Sequence, residues 1–108
     1  KNVVLIDDLI STGGSIVEAA KALKARGVKD IYACIVHPVL AGSAVEKIRN
    51  SPIKELIVTN SIPLSEEKRI PKIKQLSIAP LLADAIWRIH NDVSISTLFF
   101  NSSLGVEA

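Results

Sequence analysis

The sequence predicts an α/β domain on a parallel sheet, and three observations carry that prediction. Residues 3–6 (Val-Val-Leu-Ile) form a short unbroken apolar run rich in β-branched side chains, which is how a strand buried on both faces reads. From Ser15 the period changes, with Ile16, Ala20 and Leu23 on one helical face. A second apolar run, residues 31–36, returns to strand character. Strand, helix, strand in this order implies parallel strands joined by right-handed crossovers.

The remaining elements follow in order. Gly27 ends the first helix as its C-terminal cap. Ser43 opens a short second helix through Val45 and Ile48, supported by the capping box Ser43-Ala44-Val45-Glu46, and Pro52 lies beyond its end. Residues 56–59 predict a third strand and residues 73–78 a fourth. Between them, residues 60–71 are polar and contain Pro63 and Pro71, so they predict a surface loop. Lys68, Arg69, Lys72 and Lys74 read as a solvated charged face. Pro80 suits the first turn of a helix that carries Leu82, Ala85, Ile86 and Ile89 inward, with Arg88 and His90 near its negative dipole end. The domain is expected to cover residues 1–100, leaving 101–108 as a flexible tail.

Composition narrows the function classes. With 108 residues, 48% of them hydrophobic and 22% charged, the chain can build one domain with a core, which excludes global disorder. A net charge of +2 with scattered basic residues excludes nucleic acid as a bulk electrostatic partner. No apolar stretch approaches the roughly 20 residues that span a bilayer, and no signal-peptide pattern opens the chain, so no membrane partner is expected. The single cysteine, Cys34, reads as a core residue in a reduced, cytoplasmic setting. The chain has no methionine and enters a buried-type strand almost at once, so it reads as a piece of a larger protein. A sheet that begins this way has an open edge, and a homo-oligomer is expected.

Ligands of open α/β sheets bind beyond the carboxyl ends of the strands, and the segment Asp7-Asp8-Leu9-Ile10-Ser11-Thr12-Gly13-Gly14-Ser15 lies at such an end. Gly13 and Gly14 allow a tight turn whose N–H groups point at one spot. Thr12 and Ser15 add hydroxyl donors, and the following helix adds its positive end. Those are the requirements of a phosphate site. Asp7 and Asp8 would repel a phosphate at close contact, so their chemistry lies further along the ligand, where a carboxylate accepts from a ribose diol or holds Mg²⁺ through water. A structural reading competes: Ser15-Ile16-Val17-Glu18 is itself a capping box, so Ser15 can be a helix cap and the glycines only a turn. Two adjacent carboxylates ending a buried strand weigh toward a ligand. The patterns GxxxxGK[ST] and GxGxxG are absent.

Residues 3–15 resemble the phosphoribosyl-diphosphate signature shared by type I phosphoribosyltransferases and ribose-phosphate pyrophosphokinases, and that motif alone leaves both open. Residues 32–37 (Tyr-Ala-Cys-Ile-Val-His), 58–63 (Val-Thr-Asn-Ser-Ile-Pro), 79–90 and 94–99 are similar to the C-terminal part of the pyrophosphokinases. The resemblance implies a type I phosphoribosyltransferase-type fold, as a C-terminal domain or fragment. It also implies diphosphoryl transfer from ATP to ribose 5-phosphate with Mg²⁺, giving phosphoribosyl diphosphate and AMP. By position, Asp7 and Asp8 would hold the ribose hydroxyls and the metal-linked end of the ligand, while Ser11, Thr12, Gly13, Gly14 and Ser15 would wrap the 5-phosphate. Ser94, Ser96 and Phe99 match a stretch that in many members contributes to an allosteric phosphate or ADP site between subunits. Most members carry aspartate where Ser11 stands, which removes a carboxylate but leaves the backbone cradle.

The same resemblance places the adenine pocket upstream, so ATP would be met by an N-terminal half and this chain alone would be inactive. No residue is assigned a catalytic proton transfer: His37 reads as packed at a strand end and satisfied by backbone, and His90 as a complement to its helix dipole. Trp87 reads as flanking the core or a subunit contact, and no Cys/His grouping offers a zinc site. Two alternatives stand beside the pyrophosphokinase reading: a type I phosphoribosyltransferase domain, and a non-catalytic pyrophosphokinase-like regulatory subunit.

Overall fold

A computed structural model describes residues 1–100; the expected tail at 101–108 lies outside them. These residues form two compact units, Lys1–Ser77 and a second that begins at Ile78. The first contains β1 (Asn2–Ile10), α1 (Gly14–Ala25), β2 (Asp30–Pro38), α2 (Ala44–Arg49), β3 (Ile53–Thr59), a single 3-10 turn (Glu66–Lys68) and β4 (Ile73–Leu76). The second contains α3 (Ala79–His90) and α4 (Thr97–Phe100).

The four strands are all parallel in the order β1-β2-β3-β4, the α/β architecture the alternation predicts. A sheet that grows in one direction through crossovers of one hand puts its connecting helices on one face. The core shows this: Ile31, Ala33, Ile35, Leu56, Val58 and Ile73 pack with Val17 and Ala20 of α1 and Ala44 and Ile48 of α2. In register with them, Val3 and Leu5 of β1 also face the helices. Alternate residues turn to the other face, and there Val4, Ile6, Val36 and Leu76 are exposed.

That geometry corrects several expectations. β1 is the open edge that was expected, but it is covered on one face rather than buried on both, and Ile6 is 80% exposed. Cys34 pairs with Ile6 and is half-buried on the uncovered face, outside the core. β1 and β2 run longer than their apolar runs, so Asp7 and Asp8 belong to the strand itself. In the second unit Leu82, Ile86 and Ile89 of α3 are exposed, as is Trp87; the helical period is real, but the described residues of that unit do not cover the stripe.

Helix ends decide the local boundaries. Gly27 takes φ 89° and donates to Lys24 O at 3.0 Å, while Val28 N–H donates to Leu23 O at 3.3 Å. This is the Schellman pattern, with Leu23 and Val28 both packed on the core. The capping box at Ser43 does not form: Ser43 makes no cap bond with its side chain, and Glu46 pairs instead with Arg49. The far end of α2 is held from a distance. Lys72 Nζ donates to Ile48 O, Arg49 O and Ser51 O at 3.2, 3.0 and 3.0 Å, and burial pushes its ammonium below the usual lysine value. Lys68 reaches Val39 O and Arg69 reaches Leu64 O. Three of the four charges expected to form a solvated face are therefore fasteners of the loop to backbone carbonyls.

Candidate anion site at the carboxyl end of β1

Chain direction and glycine chemistry build the site. β1 delivers Asp7 to the carboxyl edge of the sheet, and the chain reverses into α1 through Ser11, Thr12 and Gly13. Gly13 occupies the N-cap position in the left-handed region, φ 82° and ψ −2°, a conformation that a side chain would strain. Ser15 is thus inside the first turn of α1 and does not cap it. Glu18 pairs with Lys21 at 3.3 Å and does not return to the helix start, so the second capping box is also unformed. In the first turn, Gly14, Ser15 and Ile16 have N–H groups with no acceptor within the helix, the first helical bond being Val17 N–H to Gly13 O at 3.1 Å.

These groups line one cleft of about 210 Å³, together with Asp7, Leu9, Ile10 and Ile35. The volume is below the ~300 Å³ at which drug-sized pockets begin, and suits a small ligand. The cleft collects Ser11, Thr12, Gly13, Gly14 and Ser15 with Asp7. Asp8 does not line it. Asp7 Oδ1 accepts the N–H of Asp8 at 2.8 Å, which orients the Asp7 carboxylate. Leu9, Ile10, Ile16 and Ile35 also line the cleft and are not among the residues the turn motif singles out; the helix period, which puts Ile16 on the apolar face of α1, was the signal for one of them.

Chemically, the cleft offers orphan N–H donors and hydroxyls on one side and a carboxylate on the other. The donors suit an anion at the helix start, while Asp7 suits a hydroxyl donor. Among the described residues no group of three or more His, Cys, Asp or Glu side chains could hold a metal ion. A Mg²⁺ ion here would rest on Asp7 with water and ligand oxygens, the usual habit of that ion.

His37 is exposed, and its contact corrects the packed reading: Nδ1 lies 2.8 Å from Ser61 Oγ, which is 3.0 Å from Val36 O. A carbonyl only accepts. Two bonds form when the Ser61 hydroxyl donates to Val36 O and accepts from Nδ1–H, against one for the reverse arrangement, so this tautomer is favoured. In the second unit Ser94 and Ser96 hydroxyls lie 2.7 Å apart and engage each other, and Phe99 is exposed. Arg88, expected to serve the helix dipole, ties that turn to α3 through Asp84, Ser94 O and Thr97 Oγ1 at 3.0, 3.2 and 2.6 Å.

Comparison with known proteins agrees with this fold. The family described as "Phosphoribosyl synthetase-associated domain" matches residues 1–100, and the chain belongs to it. Over 99 residues the chain is 60% identical to the ribose-phosphate pyrophosphokinase of Bacillus subtilis (strain 168) and 54% identical to that of Caldanaerobacter subterraneus subsp. tengcongensis. Each match covers 92% of this chain and 31% of the relative. The crystal structure of phosphoribosylpyrophosphate synthetase from Mycobacterium smegmatis superposes with a TM-score of 0.82 at 40% identity, over 85% of this chain and 31% of that one. The chain therefore spans about a third of the length of these relatives.

Proposed function

We propose that this chain supplies the ribose 5-phosphate subsite of a ribose-phosphate diphosphokinase, with the turn from Ser11 to Ser15 holding the 5-phosphate and Asp7 accepting from the ribose hydroxyls. The observation that carries this reading is the convergence of the whole turn and one carboxylate on a single small cleft. The names of the relatives support it. Residues outside this chain would meet ATP, in keeping with a match that covers 31% of each relative. Diphosphoryl transfer asks for alignment and charge stabilisation more than covalent chemistry. Here the turn fixes one end of the sugar and Asp7 orients the diol. Mg²⁺, when bound, would be held by Asp7 through water and would neutralise charge on the diphosphoryl group being transferred.

Chemical-shift mapping with ribose 5-phosphate tests the reading. Shifts should concentrate at the amides of Thr12, Gly13, Gly14 and Ser15, and Asp7→Asn should weaken binding more than Asp8→Asn. Shifts elsewhere, or equal effects of the two variants, would refute it. Binding that appears only with phosphoribosyl diphosphate and a purine would favour a phosphoribosyltransferase domain instead.

A further inference from the structure

The loop that leaves β2 is fastened to the back of the candidate phosphate turn. Leu40 N–H donates to Ile10 O at 3.1 Å, and Ala41 N–H donates to Ser11 O at 2.8 Å. Ala44, at the start of α2 and fully buried, lies against Gly13: a Cβ placed on that glycine would meet the Cα and Cβ of Ala44 at 3.7 Å. Lys68 Nζ holds the same loop from its other side, donating to Val39 O at 3.2 Å. Leu40 takes φ 51°, a left-handed conformation unusual for a leucine, while its side chain is 1% exposed. Strain of this kind persists only where the surroundings impose it, and it gathers at functional sites.

The geometry points to residues 39–44 as a positioning bracket for the anion-binding turn, with Ala41 as its central positioning residue; this rests on the reading of the turn as a phosphate subsite. The C=O and N–H of a trans peptide point in opposite directions. Holding Ser11 O on Ala41, which does not line the cleft, aims the Thr12 N–H away from the bracket. Holding Ile10 O on Leu40 does the same for the Ser11 N–H. Buried Leu40 anchors the loop in the core, so both carbonyls are pinned by a segment that cannot drift. Two donors of the turn are thereby set before any ligand arrives, which spares the ordering that binding would otherwise require.

The test uses the full chain and two variants that delete the same N–H: Ala41→Pro, and a backbone ester at position 41 that adds no bulk. Lys72→Met, distant from the cleft, is the control. Relaxation of the Ser11 and Thr12 amides is measured without ligand, and binding of ribose 5-phosphate is measured by titration. Both deletions should loosen Thr12, whose peptide carbonyl they free, while Ala20 in α1 keeps its order, and should weaken binding about tenfold; Lys72→Met should do neither. If the proline variant fails to fold, the ester decides. Turn amides that stay as ordered as in the parent chain overturn the bracket whether or not any sugar phosphate binds. Undiminished binding by the ester variant overturns it as well. A parent chain whose turn shows no shift with ribose 5-phosphate refutes the subsite reading instead, and the ligand-free relaxation still decides the bracket.

Discussion

A strand turns successive side chains to opposite faces, so Asp7 enters the cleft and Asp8 does not. Adjacency in the sequence suggests a carboxylate pair; the pleat divides it. Lys72 makes the opposite point, since a residue that looks like surface charge is the cap of a helix 23 positions away in the chain, at Arg49 O. Replacing it with methionine keeps the aliphatic stem but leaves the carbonyls at the end of α2 with less to accept from. Lys72→Met should lower stability by about 1 kcal/mol, read as a shift of the urea midpoint with unchanged slope. No shift would show that water replaces the ammonium without loss. Single residues were thus the least legible scale: Ser11 to Ser15 and Asp7 could be picked out by chemistry, whereas the partners of Lys72, Arg88 and His37 depend on chain segments that only folding brings together.

Elements were more legible, because period and stop signals are local. The first helix and its stop at Gly27 follow from Ile16, Ala20, Leu23 and the glycine itself, and the Schellman bonds at Gly27 and Val28 show why the stop works. An alanine at position 27 would meet open space yet would still have to take φ 89°. Gly27→Ala is therefore expected to cost about 1 kcal/mol through backbone strain alone, measured by thermal unfolding. An unchanged midpoint would mean that the helix end readily adopts another cap. The two capping boxes failed for a reason the pattern does not contain. Each glutamate had a basic residue three positions on, Lys21 or Arg49, and took that ion pair. The N-cap of α1 then fell to Gly13, two residues earlier than the serine that resembled a cap.

For the whole molecule, the consequential fact is a sheet packed on one side. Val4, Ile6, Val36 and Leu76 stand exposed on the uncovered face of the first unit, and β1 offers an edge. The second unit separately exposes Leu82, Ile86, Trp87 and Ile89. Apolar surface of this extent drives association, and an unpaired edge provides a template for it. The chain on its own is expected to self-associate, with light scattering showing a mass that rises with concentration. A single monomeric mass at high concentration would contradict this.

By itself the sequence determined the order of the four strands and the first three helices, the parallel sheet, the place of the turn and the chemistry of its residues, though not the short α4. These rest on interactions within a few positions of one another, or on side-chain period, and both are written along the chain. Tertiary structure alone decided that β1 is covered on one face only, that Asp7 and Asp8 part company, that Cys34 lies outside the core, and that the loop after β2 holds the turn from behind. Each of those depends on which face a helix covers or which distant carbonyl a donor meets, and such long-range pairings leave no periodic trace in the order of residues.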